Sequence, residues 1–313
     1  MKLSKTQTAI IAIIIANTIW GAASPVYKWS FENIHPFTLA FLRFLFSALI
    51  LFPFVKGSLK IKHKDILIVL LIGASLTLHI GILFIALTLT TSINSPIIGS
   101  STPIFILIFG ILFLREIPTA KKMVGGLIGF LGVLLIILQP TIEKGLDGSI
   151  VGNALLVAAT LLSVINILLI KSISKRYKPL TLVFWSFALA TLFFIPFFTQ
   201  EVQTYGFLTN LNMQGIIGIL YATLLSSVAA YGLYYYAIKY MQVFDVGVFS
   251  YVDPIVGIIV AVSLLSEIPF CTHPDIRPKQ EQCSLQNQSS IQPSYLLICH
   301  LHTLPEYPEG RFS

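Results

Sequence analysis

The chain has 313 residues, of which 56% are hydrophobic and only 11% are charged. An ordinary soluble domain carries about 25% charged residues, so this composition excludes a typical soluble protein and indicates a lipid environment. The net charge of +7 does not indicate nucleic-acid binding, because the basic residues lie in short loops between apolar windows, where they orient helices in a membrane.

Nine apolar windows predict nine transmembrane helices. A bilayer core about 30 Å thick requires about 20 apolar residues per helix, and windows of this kind are separated by short charged or Pro/Gly-rich breaks. In chain order they cover residues 9–29, 36–55, 66–88, 93–114, 123–138, 150–170, 179–199, 215–238 and 244–265. The first window is longer than the apolar region of a secretory signal, about 7 to 15 residues, so we expect it to be a retained helix.

Positive charge is concentrated in alternate loops, which predicts the orientation of the chain. The charged loops carry Lys2 and Lys5; Lys56, Lys60, Lys62 and Lys64; Arg115, Lys121 and Lys122; and Lys171, Lys175, Arg176 and Lys178. The intervening loops carry little net positive charge. We therefore expect a cytoplasmic N-terminus.

Two pairs of segments repeat within the chain. TPIFILIFGILFLREIP (102–118) aligns with DPIVGIIVAVSLLSEIP (253–269), and KWSFENIHPFTLAFLRFLFSALILFPF (28–54) aligns with KSISKRYKPLTLVFWSFALATLFFIPF (171–197). Spans one to four thus match spans six to nine. A five-helix unit crosses the membrane an odd number of times, so its second copy is inverted. Inverted repeats are characteristic of secondary transporters, with the substrate site near the midplane between the halves.

The repeat predicts three segments: a first five-helix repeat at 9–139, a second repeat of four helices at 150–269, and a polar tail at 270–313. The longest apolar run in the tail, YLLIC, is too short to span a membrane. Cys271, Cys283 and Cys299 have no zinc-site spacing. We expect the tail to be non-native and disordered, after a frameshift or chimeric join at or just after Pro269. The alternative is a native nine-helix protein with an exported polar tail.

Four motifs carry a family resemblance: NTIWGAASP (17–25), FLRFLFSAL (41–49), STPIFILIFGILFLREIP (101–118) and YVDPIVGIIVAVSLLSEIP (251–269). In their order, spacing and repetition, over about residues 9–269, the chain resembles the EamA-like branch of the drug/metabolite transporter superfamily. The resemblance implies an all-α integral membrane fold of ten helices in two inverted fives, here with about nine helices and the tenth missing. It also implies movement of small solutes across the plasma membrane, commonly efflux, without a hydrolysed nucleotide. The missing tenth helix leaves impaired transport as an alternative.

Arg43, Asp253 and His79 lie well inside predicted spans, where charge is costly and usually faces a cavity or a partner. Arg43 is predicted to attract an anionic or zwitterionic group or to pair with a carboxylate, and the alternative is that it snorkels to the headgroups. Asp253 precedes Pro254, which frees nearby carbonyls; it is a substrate or proton carboxylate, or else pairs with Lys239 or a hydroxyl. His79 carries a coupling proton or is a neutral residue bonded to a neighbouring helix.

Polar and aromatic residues at cavity-type positions extend the candidate pathway. They are Asn17, Trp20, Ser24, Asn94, Asn166 and Tyr231. Polar side chains also join helices to each other. The tyrosines of YGLYYYA (231–237) suit stacking on an aromatic solute, and packing or an interfacial belt is the favoured alternative. Glu116 and Glu267, which end matching helices, are predicted to be structural.

Three classes of membrane protein share this hydropathy. An integral membrane transferase requires clustered carboxylates or a nucleophile with a base, and the spans contain no such cluster, so we expect neither an enzyme nor a metal or cofactor. A secondary permease or exporter working by alternating access, with possible proton coupling, is the favoured interpretation; a lipid flippase or scaffold is the alternative. The expected partners are a small-molecule solute and membrane lipids, with no nucleic acid.

Overall fold

The computed structural model describes residues 4–114, 119–121, 124–125, 128, 131, 148–207 and 211–265. These residues contain helices but no strand, and eight of the helices are long and apolar enough to cross a membrane. The eight are Lys5–Ser30, Pro36–Val55, His63–Leu89, Asn94–Phe113, Ile150–Ser174, Pro179–Tyr205, Met213–Tyr240 and Val243–Leu265. They confirm the all-α membrane fold and eight of the nine predicted windows. Most of the ninth window, 123–138, and the whole tail lie outside the described residues.

Eleven α-helices form these spans. In chain order they are α1 (Lys5–Ser30), α2 (Pro36–Val55), α3 (Ile66–Leu89), α4 (Asn94–Gly99), α5 (Thr102–Phe109), α6 (Gly148–Ser174), α7 (Pro179–Tyr205), α8 (Met213–Leu220), α9 (Ala230–Tyr240), α10 (Val243–Val248) and α11 (Val252–Leu265).

Several helices extend beyond the apolar windows that predicted them. Ser4 caps α1 with a capping box, so this helix begins at Lys5 and not at residue 9. Similarly, α7 continues to Tyr205, past the predicted end at residue 199. A helix does not have to stop where the hydrocarbon stops, because the headgroup regions add about 10 to 15 Å to the bilayer. Apolar windows therefore underestimate helix length.

Two spans that the sequence predicts as continuous are broken near their middle. The connection between α4 and α5 falls at Ser100 and Ser101, directly before Pro103. The connection between α10 and α11 is a 3₁₀ turn, Phe249–Tyr251, directly before Asp253 and Pro254. Proline lacks the N–H that a continuous helix requires and restricts the residue before it. Both breaks therefore occur at matching positions of the predicted repeat.

The contacts between spans agree with the predicted repeat, in which α1 matches α6, α2 matches α7 and α3 matches α9. Helix α3 packs on α6, and the equivalent contact is that of α9 with α1. Helix α2 packs on its own counterpart, α7. In the aligned segments Phe44 of α2 matches Phe187 of α7, and the two rings lie with centroids 5.2 Å apart. Helices α2 and α7 thus contact each other through equivalent residues, as expected for the pair closest to the symmetry axis.

Polar contacts join the predicted halves at both ends of the bundle, which we name the Lys5 end and the Ser30 end after the bounds of α1. At the Lys5 end, the carboxylate of Asp65 accepts a hydrogen bond from Tyr177 at 2.7 Å and forms an ion pair with Arg176 at 3.1 Å. At the Ser30 end, the carboxylate of Glu201 accepts from the backbone N–H groups of Phe37 and Thr38 in the first turn of α2. A carboxylate there complements the positive helix terminus.

We predict that Gly73→Ala destabilises the fold. A Cβ on Gly73 would lie 2.4 Å from Leu189 Cβ, whereas a Cβ on Gly81 of the same helix would meet nothing closer than 3.8 Å. Overpacking costs about 1–3 kcal/mol, so Gly73→Ala lowers the midpoint of thermal unfolding in detergent. Gly81→Ala is the matched control and leaves the midpoint unchanged or higher, because alanine favours helix by about 1 kcal/mol. Equal midpoints for the two variants would contradict this packing.

Candidate functional site

A cavity of about 170 Å³ lies among the spans and is lined by residues of both predicted halves. Liquid water occupies about 30 Å³ per molecule, so this space corresponds to a small solute. Eight of the nine residues predicted on a pathway line the cavity: Asn17, Trp20, Ser24, Arg43, His79, Asn166, Tyr231 and Asp253. The breaks before α5 and α11 border it through Thr102 and Asp253.

Arg43 is buried, with 1% of its surface exposed. Its guanidinium donates to Ser227 Oγ at 3.0 Å, to Tyr27 Oη at 2.8 Å and to Ser226 Oγ at 3.3 Å. No described carboxylate forms an ion pair with Arg43, and the side chain is enclosed within the bundle, whereas a snorkelling side chain would extend to the surface. Hydroxyl dipoles stabilise this cation without neutralising it, which leaves a net positive charge at the cavity wall.

The serines that bind Arg43 belong to a π-helical segment, Tyr221–Ala229, which joins α8 to α9. Ser227 Oγ donates to Ala222 O five residues earlier at 2.7 Å, and Ser226 O accepts from Trp20 Nε1 at 3.0 Å. A π segment shifts side chains relative to a regular helix and is frequent at functional sites. Both serine hydroxyls can therefore face the same guanidinium. In the sequence, two adjacent serines within an apolar run indicate these partners of Arg43, but neither serine was predicted.

Three buried polar atoms at the cavity have no hydrogen-bond partner among the residues that the structure describes. They are Asn17 Nδ2, Ser250 Oγ and Asp253 Oδ1. Lys239 does not pair with Asp253, since its amine donates to Tyr177 O at 2.9 Å. Buried polar groups without partners are costly, so these atoms suit a bound polar solute.

Close backbone contact fixes Asp253 against α1. A Cβ on Gly21 would lie 2.7 Å from Asp253 O, and a Cβ on Gly257 would lie 3.1 Å from Gly21 O. Glycines on both helices thus allow α1 and α11 to approach. The backbone of Asp253 is held by this approach, and its carboxyl borders the cavity.

His79 bonds to a neighbouring helix and also borders the cavity. Its Nδ1 lies 2.8 Å from Ala159 O, and a carbonyl oxygen only accepts, so Nδ1 carries the hydrogen. In the neutral ring Nε2 then remains an acceptor. His79 can therefore join two helices through Nδ1 and still accept a proton at Nε2.

Other predicted residues connect helices at the cavity edge. Asn166 Nδ2 donates to Ile72 O at 2.8 Å and to Ser75 Oγ at 2.9 Å, which joins α6 to α3. Ser24 Oγ donates to Ser95 Oγ at 2.9 Å, which joins α1 to α4. These two residues shape the cavity while they hold its walls together.

An aromatic wall closes one side of the cavity. The ring of Trp20 lies 4.9 Å from that of Tyr231 and 4.7 Å from that of Tyr234, between centroids. Both tyrosines are buried, so the interpretation of YGLYYYA as an interfacial belt is wrong for these two positions.

Asn94 does not line the cavity, contrary to expectation. Its Nδ2 donates to Thr90 Oγ1 and to Asn153 Oδ1, both at 2.9 Å. Asn94 is the first residue of α4 and lies next to the loop that follows α3, where these bonds join it to α6. Glu116 and Glu267 fall outside the described residues. No cluster of three or more metal-ligating side chains occurs within the described part of the chain.

Comparisons with known proteins place the chain among transporters. The pattern of the EamA-like transporter family matches twice, at residues 7–138 and 150–272. An uncharacterized transporter of Archaeoglobus fulgidus is 29% identical over 272 residues, covering 85% of this chain and 91% of the relative. A protein of Escherichia coli named "Probable amino-acid metabolite efflux pump" is 25% identical over 277 residues, covering 83% and 88%.

A solved crystal structure has the same fold, with a TM-score of 0.62 at 17% sequence identity, covering 85% of this chain and 89% of that one. The family and these relatives are transporters and not enzymes. The chain is a multi-pass membrane protein that belongs to the EamA-like transporter family.

Proposed function

We propose that this chain is a secondary transporter that moves a small zwitterionic metabolite across the cell membrane by alternating access. The observation that carries the proposal is one cavity bordered by an arginine and by a carboxyl. Within the described parts of the chain the arginine has no carboxylate partner, and one carboxyl oxygen has no hydrogen bond. Opposite charges at one small cavity match a solute that carries both charges itself.

The two charges come from different halves of the predicted repeat. In the aligned segments Arg43 matches Ser186, and Asp253 matches Thr102. Each half thus contributes one charge, and the equivalent position in the other half is neutral. A carboxylate of the solute would bind at Arg43 and an ammonium group at Asp253. The solute would therefore contact both halves at once.

Aromatic and hydroxyl groups suit the rest of such a solute. Trp20, Tyr231 and Tyr234 offer ring faces and edges, which bind apolar bodies and, at closer approach, cations. Asn17 Nδ2 and Ser250 Oγ offer additional hydrogen bonds. The relative in Escherichia coli is named for amino-acid metabolites, which agrees with a zwitterionic α-amino acid as the solute class.

We assign alternating access to the two predicted repeats, 9–139 and 150–269, rocking about the contact between α2 and α7. Support comes from the matched helix breaks before Pro103 and Pro254 and from the ring contact of Phe44 with Phe187. Transporters with inverted repeats bind solutes at discontinuous helices near the midplane. The charge of the loops supports a cytoplasmic N-terminus, and the plasma or inner membrane is the location that the family resemblance implies.

Asp253 also provides a route to proton coupling. A carboxylate binds either a proton or the ammonium group of a solute, and one occupant excludes the other. Exchange of the two at Asp253 would drive solute against its gradient at the expense of a proton gradient. His79, whose Nε2 remains an acceptor in the neutral ring, is the second candidate on the proton pathway.

We predict that both charges are required for transport. In proteoliposomes containing the full chain, exchange of radiolabelled neutral L-amino acids falls by at least about tenfold in Arg43→Ala and in Asp253→Asn, since losing a hydrogen bond to a charged group costs about 1.5–3 kcal/mol. Glu32→Gln, which changes an exposed carboxyl that does not line the cavity, is the control and retains transport. If both cavity variants keep full transport, the site assignment is wrong.

The chemistry of the solute gives an independent prediction. Amines that lack the carboxylate, and acids that lack the ammonium group, compete for exchange at least about tenfold more weakly than the parent amino acid, because each leaves one buried charge unpaired. Competition assays with matched triplets of amino acid, amine and acid measure this. Equal competition by the amines would exclude a role for Arg43 in recognition.

A lipid flippase remains the second candidate, because it shares the apolar spans. Scrambling of fluorescent phospholipids in the same proteoliposomes distinguishes the two. We expect amino-acid exchange without scrambling; scrambling without amino-acid exchange would reverse the assignment.

A further inference from the structure

Two lysines at equivalent positions of the repeat make equivalent contacts. Lys28 and Lys171 begin the aligned segments KWSF and KSIS. The amine of Lys28, near the end of α1, donates to Thr90 O at 2.7 Å. The amine of Lys171, near the end of α6, donates to Ile238 O at 3.0 Å and also to Met241 O. Each lysine thus reaches from the first helix of its half to the end of the third span of that half.

The carbonyls that accept these bonds belong to helix C-termini. Thr90 is the C-cap of α3, and Met241 is the C-cap of α9. The last carbonyls of a helix have no partner within it, and the negative end of the helix dipole favours a cation. Each lysine amine therefore holds a helix end and the loop that follows.

Both loops lead directly into the broken spans. Thr90 precedes α4, which begins at Asn94, and Met241 precedes α10, which begins at Val243. Beyond these short helices lie the breaks that border the cavity. A loop held by a lysine thus fixes the outer piece of a broken span.

The two contacts lie at opposite ends of the bundle. Lys28 lies at the Ser30 end, where Thr90 Oγ1 also donates to Asn153 near the start of α6. Lys171 lies at the Lys5 end, where Tyr177 contacts Asp65. Helix α6 therefore runs opposite to α1, and the two lysines occupy the two ends of the solute path.

We propose that Lys28 and Lys171 are a pair of positioning residues that act as latches, each keeping one end of the path closed. This inference rests on the proposed alternating access. Both latches are formed in the structure, and opening either end requires the release of one amine from its helix terminus. A lysine suits this role because its ammonium is a compact donor on a flexible stem. Loss of one latch favours opening at that end alone.

Sided labelling of a cavity cysteine tests the latches without measuring transport. The background is the full chain with Cys271, Cys283 and Cys299 changed to serine, and the reporter is Ser163→Cys, at a position that lines the cavity. A membrane-impermeant maleimide is applied to each side of sealed vesicles. Separate variants with a cysteine at the exposed residues Lys60 and Thr204 identify the Lys5 and Ser30 sides.

We expect opposite shifts from the two lysines. Lys28→Met increases the ratio of Ser30-side to Lys5-side labelling by about tenfold, which corresponds to about 1.4 kcal/mol, and Lys171→Met decreases it by a similar factor. Lys28→Arg and Lys171→Arg can still donate to the carbonyls and retain a ratio close to that of the background protein.

Other outcomes overturn the latches. Shifts of both methionine variants in one direction, or an unchanged ratio, contradict the proposal. Loss of folded protein in the methionine and the arginine variants alike would show a structural role only, which also overturns it. Labelling measures conformation and not transport. Shifted ratios without amino-acid exchange would therefore refute the amino-acid solute and leave alternating access and the latches standing, whereas exchange with unshifted ratios would refute the latches alone.

Discussion

Hydrocarbon offers no hydrogen bonds, so each polar group within the spans must find a partner in the protein or face a solvated cavity. Most described polar side chains at this depth satisfy the rule within the bundle. Asn166 bonds to α3, Ser24 bonds to Ser95, and Arg43 is held by three hydroxyls. The exceptions at the cavity, on Asn17, Ser250 and Asp253, are therefore informative. In the proposed function, a bound solute supplies the hydrogen bonds that these atoms lack.

Irregular backbone provides the geometry for these groups. The break before α11 sets Asp253 at the first turn of a helix that starts within the span, and the π segment turns Ser226 and Ser227 toward Arg43. A regular helix at either place would carry these side chains in different directions. Departures from the α-helix are tolerated at membrane depth only where the backbone is buried in protein or lines a cavity, and both occur here beside the cavity.

The sequence predicted the all-α fold and eight described spans, because the hydrophobic length of a membrane helix is a strong constraint on composition. It also indicated Arg43, Asp253 and His79 as candidates for the substrate or proton pathway, because ionisable residues are rare in spans. It could not predict which partners they find. Tyr27 is distant in the chain from Ser226 and Ser227. In the sequence all three look like ordinary aromatic or small residues of an apolar span. Asn94 was misplaced because its partners, Thr90 and Asn153, could not be identified from the sequence.

The central claim is that one zwitterion bridges Arg43 and Asp253, and therefore both predicted halves. The most direct measurement is a structure of the full chain with a bound neutral L-amino acid. The account predicts a carboxylate within hydrogen-bond distance of the Arg43 guanidinium, about 2.7–3.2 Å, and an ammonium group at the Asp253 carboxyl. An amino acid bound outside this cavity, or bound within it without contact to either charge, would contradict the account.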